Sequence, residues 1–364
     1  MLAVVLRAGG EGAQAPSPPQ PPRPPRPPVS KPLEQDAAVE RRLSDAARKN
    51  PDSFDAQYRL ASFYVQKGRL DAALPHLRRA CAIDPTHYDS GHDFALALLE
   101  TGNLDDARAQ IERMIASGEK AELHNLLGNV YERAENFVAA AGEYQRAAHM
   151  EPSEEHIFDW GNNLLQLHAY DEATQVFTAG LERHPGSPRL HVGIGIAQYS
   201  RGQYEDAAKS FCQAADLAPS DPRPYQFLGE MYGVVPTMGA EITRRLTGFA
   251  KAHPRNAPAQ FYYAMSLWKG TPSAPPPADM RRVEALLRQA TTLDRKFSKA
   301  FLQLGILLSE DRRYKEAIPE LQRAIEIEPD LAQAHYRLAQ AYQRTGQEAL
   351  AAKELEIFER LNSK

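Results

Sequence analysis

The chain has 364 residues, with 43% hydrophobic and 25% charged side chains, which is normal for a folded protein and long enough for a repeat array. Its formal net charge of -4 argues against a nucleic-acid partner, because binding nucleic acid needs clustered cations that displace counterions. No apolar run reaches the roughly 18 residues of a transmembrane helix, so the sequence predicts no integral membrane segment.

The first 33 residues differ in composition from the rest. Proline is dense between Pro16 and Pro32, and it lacks a backbone donor, so we predict a disordered, extended, proline-rich tail over 1–33. The apolar run Leu2–Leu6 resembles a truncated export signal, but it is shorter than the roughly 7 to 15 apolar residues of a complete one. We therefore favour a cytoplasmic location and keep export as the alternative.

The remaining sequence repeats with a period of about 34 residues, which is typical of stacked helix pairs. Helix formers over 34–50 predict a capping helix before the first pair. Prolines that end helical stretches mark the period at Pro51, Pro85, Pro152, Pro185, Pro219, Pro254 and Pro329.

Small residues recur inside the first helix of each predicted pair. Their small size lets two antiparallel helices approach closely, and a bulky residue there would overpack the contact by roughly 1–3 kcal/mol. These positions are Ala61, Ala95, Gly128, Gly161, Gly195, Gly229, Ala264, Gly305 and Ala339. In most repeats an alanine follows twelve positions later, at Ala73, Ala107, Ala140, Ala173, Ala207, Ala317 and Ala351.

The fullest form of the motif is Phe301, Leu304, Gly305, Leu308, Ala317, Leu321, Ala324 and Pro329. This pattern resembles the tetratricopeptide repeat (TPR) family. The resemblance implies an all-α superhelix of about nine helix-turn-helix repeats over 54–364, starting near 54, 88, 121, 154, 188, 222, 257, 298 and 332. It also implies a non-enzymatic scaffold that binds protein or peptide partners in a concave groove, without identifying the partner.

Two predicted repeats depart from the pattern. In the sixth, Ile242 replaces the expected alanine, and Val234-Val235-Pro236 interrupts the turn. In the seventh, seven additional residues fall around 270–277, and we expect them to project between the two helices.

No residue pattern indicates catalysis, a cofactor or a metal. The segment Asp89-Ser90-Gly91-His92-Asp93 has the residue types of a serine hydrolase but lies within one predicted helix, without the strand–turn–helix that exposes a nucleophile. The histidines form no metal-binding spacing, and Cys81 and Cys212 form no paired motif. We predict no catalytic, cofactor or metal residues, so an enzyme is a remote alternative, after an exported cell-envelope assembly or regulatory factor.

The positions that line the predicted groove change in character along the chain. In the early repeats they are polar, at Arg59, Asp93, Asn125, Asn129, Asp159 and Asn162. From the fifth repeat they become apolar with flanking arginines, and we predict partner binding by this apolar strip, because such patches mark interfaces. Alternatively, irregular repeats bury it against the loop around Pro275. The strip comprises Arg189, Val192, Ile196, Tyr199, Arg223, Phe227, Phe261, Tyr262, Met265 and Trp268.

The last predicted helix carries Phe358 where earlier repeats mostly have a small residue, with Ile357 and Leu361 nearby. Two outcomes are open, which are self-association through this helix and a terminal repeat that packs on itself.

Overall fold

The computed structural model describes residues 31–270 and 276–363. Over these ranges the chain forms 19 α-helices and no strand, which confirms the predicted all-α repeat fold. The chain divides between His184 and Pro185 into two compact units, unit 1 and unit 2. Of the predicted tail, residues 1–30 lie outside the described residues, and helix α1 begins at Lys31.

Unit 1 consists of one leading helix and four helical hairpins. The leading helix packs on the first hairpin, and the second helix of each of the first three hairpins packs on both its own first helix and the next one. The bounds are α1 Lys31–Lys49, α2 Phe54–Gln66, α3 Leu70–Ile83, α4 Tyr88–Glu100, α5 Leu104–Ser117, α6 Ala121–Arg133, α7 Phe137–Met150, α8 Glu154–Gln166 and α9 Tyr170–Arg183.

Unit 2 consists of five hairpins. Their first helices are α10, α12, α14, α16 and α18. The bounds are α10 Pro188–Ser200, α11 Tyr204–Leu217, α12 Pro222–Glu230, α13 Gly239–Ala252, α14 Ala257–Lys269, α15 Pro277–Leu293, α16 Ser298–Glu310, α17 Tyr314–Ile327, α18 Ala332–Arg344 and α19 Glu348–Asn362.

The eighth residue of four first helices sits against a large side chain of the second helix, at Gly128, Gly161, Gly195 and Gly305. A Cβ atom built on Gly128 would lie 2.6 Å from Cε1 of Tyr144, and one on Gly161 would lie 2.3 Å from Cε1 of Phe177. Both rings are fully buried. The predicted reason for the small residues, close approach of two helices, is therefore confirmed.

The hairpin turns share one backbone requirement. In several hairpins, the second residue after the end of the first helix has a positive φ. Examples are Gly68 (68°) and Gly102 (79°). The equivalent position in other hairpins is not glycine, and Glu135, His168 and Arg312 adopt φ of 58°, 58° and 62°. The left-handed conformation thus belongs to the turn and is imposed on whichever residue stands there.

The hairpin of α12 and α13 is irregular, at the place where Val234-Val235-Pro236 interrupts the sequence pattern. Helix α12 ends after nine residues, and a 3₁₀ turn at Pro236–Met238 precedes α13. Gly229 consequently faces Tyr262 of the following hairpin, whose Cγ lies 2.2 Å from the site of a built Cβ. Ile242, at the expected alanine position, is buried. The next hairpin contains the predicted insertion between α14 and α15, of which 271–275 lie outside the described residues.

Candidate functional site

The first helices of unit 1 are linked to each other by polar side chains. The Tyr58 hydroxyl on α2 donates to Oδ2 of Asp93 on α4 over 2.9 Å. The Asn125 amide on α6 donates to Oδ2 of Asp159 on α8 over 3.1 Å. Burial, followed by the hydrogen bond to Asp93, raises the pKa of Tyr58 to about 12, so this phenol stays protonated as a donor at neutral pH.

On two of these first helices, asparagine side-chain oxygens lack a hydrogen-bond partner among the described residues. Asn125 and Asn162 are buried, and the Oδ1 atom of each accepts no hydrogen bond. On α8, next to Asn162, both polar side-chain atoms of Asn163 are also unsatisfied. A buried amide without a hydrogen bond costs roughly 1–3 kcal/mol, so native proteins keep few of them. We call Asn125 and Asn162, together with Asp159, which accepts a hydrogen bond from Asn125, the asparagine cluster.

The asparagine cluster has the chemistry of a site for peptide backbone. An amide oxygen accepts from a peptide N–H, and an amide nitrogen donates to a peptide carbonyl. Not every asparagine on this face is unsatisfied, because Oδ1 of Asn129 accepts from the Tyr144 hydroxyl over 3.0 Å. The sequence identified these positions as polar, but it gave no signal of which amides the fold would leave without partners.

The structure places most of the apolar strip in the interior. These side chains are at most 9% exposed, so the premise that they form an open apolar surface is wrong for Val192, Ile196, Phe227, Phe261, Tyr262, Met265 and Trp268. The members that keep more accessible surface are Arg189, Tyr199 and Arg223. Their role in partner binding stays a prediction.

Specific contacts explain this burial. The Phe227 ring stacks on Phe211, with centroids 4.7 Å apart and planes at 7°. Tyr262 lies over Gly229, and its hydroxyl donates to Oε1 of Glu230 over 3.0 Å. The irregular hairpin therefore uses a residue of α14 to fill the space that a second helix fills elsewhere.

Arg223 has its own intramolecular partner. Its guanidinium donates from Nε and from a terminal nitrogen to the Asp221 carboxylate, at distances from 2.6 to 3.0 Å. This hydrogen bonding holds the pKa of Asp221 below its usual value despite burial. The predicted pairing of Arg223 with an acidic partner would have to compete with Asp221.

The described residues contain no group of three or more His, Cys, Asp or Glu side chains placed to hold a metal ion. Among them there is also no helix both long and apolar enough to cross a membrane.

Comparison with known families and proteins gives the following matches. Models described as tetratricopeptide repeat match residues 65–130 and, separately, 37–88 and 158–222, and a model described as TPR repeat matches 313–346. The human protein O-mannosyl-transferase TMTC1 is 23% identical over 166 residues, covering 44% of this chain and 19% of that protein. A TPR repeat-containing protein of Pseudomonas aeruginosa is 27% identical over 187 residues, covering 51% of this chain and 74% of that protein.

A solved tetratricopeptide repeat protein from Parabacteroides merdae is 17% identical, with a TM-score of 0.47, covering 70% of this chain and 98% of that chain. The present chain spans about a fifth of the human relative, and 18% of an uncharacterised TPR repeat-containing protein of Arabidopsis thaliana that it also matches. With small residues packed against large ones in successive hairpins, and family matches in both units, this chain belongs to the tetratricopeptide repeat family, whose members are generally protein-interaction scaffolds.

Proposed function

We propose that this protein is a non-enzymatic scaffold that binds an extended peptide segment of a partner protein at the asparagine cluster. The observation that carries the proposal is the pair of buried, unpartnered amide oxygens on Asn125 and Asn162. In this proposal the Asn125 and Asn162 side chains turn toward a peptide laid along α6 and α8, which supplies N–H groups to their oxygens. The free energy lost in burying these oxygens is then recovered on binding.

The transferase activity named for the human relative is not part of this proposal. The match to that protein covers 19% of its length, and the repeats found here are a binding architecture.

In unit 2 we propose that Arg189, Tyr199 and Arg223 contribute accessible contact surface, with the buried members of the apolar strip supporting them.

The test replaces one unpartnered amide by an isosteric apolar side chain. We expect Asn162→Leu to raise the free energy of unfolding by roughly 1 kcal/mol, because an unsatisfied buried group is removed. The same variant should weaken binding at least tenfold to a partner first isolated with the wild-type protein. Urea unfolding and titration calorimetry measure the two effects.

Asn103→Leu is the matched control. Asn103 is exposed, lies outside the asparagine cluster and donates to Thr101 over 2.8 Å, so both stability and binding should stay close to wild type. If Asn162→Leu lowers stability and leaves the dissociation constant unchanged, the amide is a structural group, and peptide binding at the asparagine cluster is wrong.

A further inference from the structure

Unit 1 contains a concave groove that shares no residue with the asparagine cluster. It lies between α3, α4 and α5 and has a volume of about 880 Å³, within the roughly 300–1,000 Å³ range of ligand sites. Cys81, Gly91, Phe94 and Met114 line its apolar part, and no member of the asparagine cluster lines it. We call it the Gly91 groove.

The groove arises where one repeat departs from its neighbours. The fourth residue of the other first helices in unit 1 has a sizeable buried side chain, which is Gln57 on α2, His124 on α6 and Ile157 on α8. The equivalent residue of α4 is Gly91, which brings no side chain.

In the neighbouring hairpins, polar fourth residues are bonded to the second helix. Nδ1 of His76 donates to Oε1 of Gln57 over 2.8 Å, and Nδ1 of His124 donates to Oε2 of Glu143 over 2.6 Å. In the Gly91 hairpin, Gln110 occupies the equivalent position on α5 and reaches only the backbone carbonyl of Gly91, at 3.5 Å. The side chain that would close this space in the other hairpins is therefore missing.

Met114 occupies part of the space left by Gly91. Its Sδ atom lies 3.0 Å from the site of a built Gly91 Cβ, and the residue is partly exposed. An unbranched thioether changes rotamer at low cost and adapts to different apolar groups. The floor of the groove is consequently apolar and deformable, with the buried Phe94 ring as its fixed part.

The rim of the groove carries more positive than negative charge. Arg78, Arg113 and Lys120 line it, and Asp106 is the acidic residue among its lining side chains. Arg78 pairs with Asp106 over 3.1 Å, with both side chains more than half exposed, so this pair is weak.

The other two cations have no carboxylate partner among the described residues. Nε of Arg113 donates to the backbone carbonyl of Ala109 over 3.2 Å. Nζ of Lys120 lies 3.3 Å from the centroid of the Tyr88 ring. Both side chains are exposed, so their charges are available to a ligand.

We propose that the Gly91 groove binds a partner-protein segment with one large apolar side chain next to carboxylates. The apolar side chain fills the space over Gly91, Phe94 and Met114. The carboxylates meet Arg113 and Lys120, where a charge-assisted hydrogen bond is about twice as strong as a neutral one. Since this groove and the asparagine cluster share no residue, this site is independent of the function proposed above.

The test uses two synthetic, end-blocked and fluorescently labelled heptapeptides with a central phenylalanine. One has three glutamates on each side, and the other has three lysines. Fluorescence anisotropy at low salt should show the glutamate peptide binding at least tenfold more tightly, with an affinity that falls as salt is added. Equal affinity for the two peptides, or no binding of either, would overturn the proposal.

Charge reversal at the rim locates the binding. Arg113→Glu should weaken binding of the glutamate peptide at least tenfold, whereas Arg108→Glu should leave it nearly unchanged. Arg108 is an exposed arginine on the same helix, outside the groove, and it pairs with Asp105. Equal loss in both variants would show non-specific attraction to a cationic surface and would contradict the proposal.

Alkylation of Cys81 gives a second, local readout. Cys81 is partly exposed in the groove, while Cys212 is buried and serves as the internal control. Burial raises the pKa of Cys81, so iodoacetamide labelling is followed at mildly alkaline pH by mass spectrometry. The bound peptide should slow labelling of Cys81 several-fold. A peptide that binds without protecting Cys81 occupies another site, such as the asparagine cluster, and excludes the groove.

The last experiment fills the Gly91 groove with a side chain. Gly91→Leu should abolish peptide binding while circular dichroism remains helical. Because an added side chain first meets the flexible ends of Met114 and Gln110, we expect the fold to persist. A folded Gly91→Leu variant that still binds like wild type would overturn the proposal, and if the variant unfolds, Arg113→Glu and the alkylation of Cys81 decide.

Discussion

At the scale of single residues, glycines of this chain have opposite roles within one hairpin. A Cβ on Gly128 would collide with the buried Tyr144 ring, whereas no heavy atom lies within 4 Å of a Cβ on Gly142, outside the backbone of its own helix. Gly142 lies in the exposed middle of α7, where glycine only increases the entropy lost on folding.

We therefore expect replacement of glycine by alanine to change the free energy of unfolding in opposite directions at these two positions. Gly128→Ala should lower the free energy of unfolding by roughly 1–3 kcal/mol through overpacking. Gly142→Ala should raise it by about 0.5–1 kcal/mol. Urea titrations monitored by circular dichroism measure both, and a neutral Gly128→Ala variant would show that Tyr144 moves aside freely.

A second prediction at single residues follows from the burial of the apolar strip. Because Phe227 stacks inside unit 2, Phe227→Ala should lower the free energy of unfolding by about 3–5 kcal/mol. Leu217→Ala is the control, since Leu217 is 45% exposed and should lose less than about 1 kcal/mol. A stable Phe227→Ala variant that loses partner binding would instead support the open surface that the sequence predicted.

At the scale of elements, most hairpin turns of the described residues contain a residue in the left-handed conformation. In some turns this residue is glycine, and in others it is a residue type that disfavours this conformation. Gly102 has a φ of 79° with no atoms near a built Cβ, so the constraint there is purely one of backbone conformation. Glu135 adopts a φ of 58° in the next hairpin. A left-handed non-glycine residue costs roughly 1–2 kcal/mol, and glycine avoids this cost.

Exchanging the residue types at these turns tests this account. Gly102→Ala should lower the free energy of unfolding by about 1 kcal/mol. Glu135→Gly should raise it by roughly 0.5 kcal/mol, because relieved strain exceeds the added entropy of the unfolded chain. Thermal melts of both variants measure these effects. If Gly102→Ala has the same melting temperature as the wild-type protein, this turn does not require glycine.

At the scale of the whole molecule, the C-terminal hairpin presents apolar groups that its own packing does not fully cover. The Phe358 and Tyr336 rings lie 5.1 Å apart, and Tyr336 remains 38% exposed. Leu350, on the same helix as Phe358, is 44% exposed. Of the two sequence-based outcomes, self-association and a hairpin packed on itself, these exposed groups favour self-association, because they leave an apolar surface uncovered.

We expect self-association to depend on this surface. Sedimentation velocity over a concentration series should show an increasing apparent mass for the wild-type protein and a constant monomer for Phe358→Glu. If both proteins are monomeric at every concentration, Phe358 only packs on Tyr336 within the hairpin and does not mediate self-association.

The sequence alone determined the class of fold and its close-packing rule. Spacing and residue size carry this information, because a helix pair that repeats every 34 residues or so must place a small residue at the same contact each time. Gly128 and Gly161 are therefore predicted from the sequence as positions of close helix contact, and their contacts with Tyr144 and Phe177 confirm this prediction. The division into tail, cap and array over 1–33, 34–50 and 54–364 remains a prediction.

Only the tertiary structure decided which faces are covered and which polar groups are satisfied. Sequence periodicity shows which residues share a helical face, but burial depends on what the neighbouring helix brings to that face. The shortened α12 lets Tyr262 occupy the space over Gly229, which buries this predicted contact residue in the core. For the same reason, the unpartnered amides of Asn125 and Asn162 and the space beside Gly91 became visible only once the helices around them were in place.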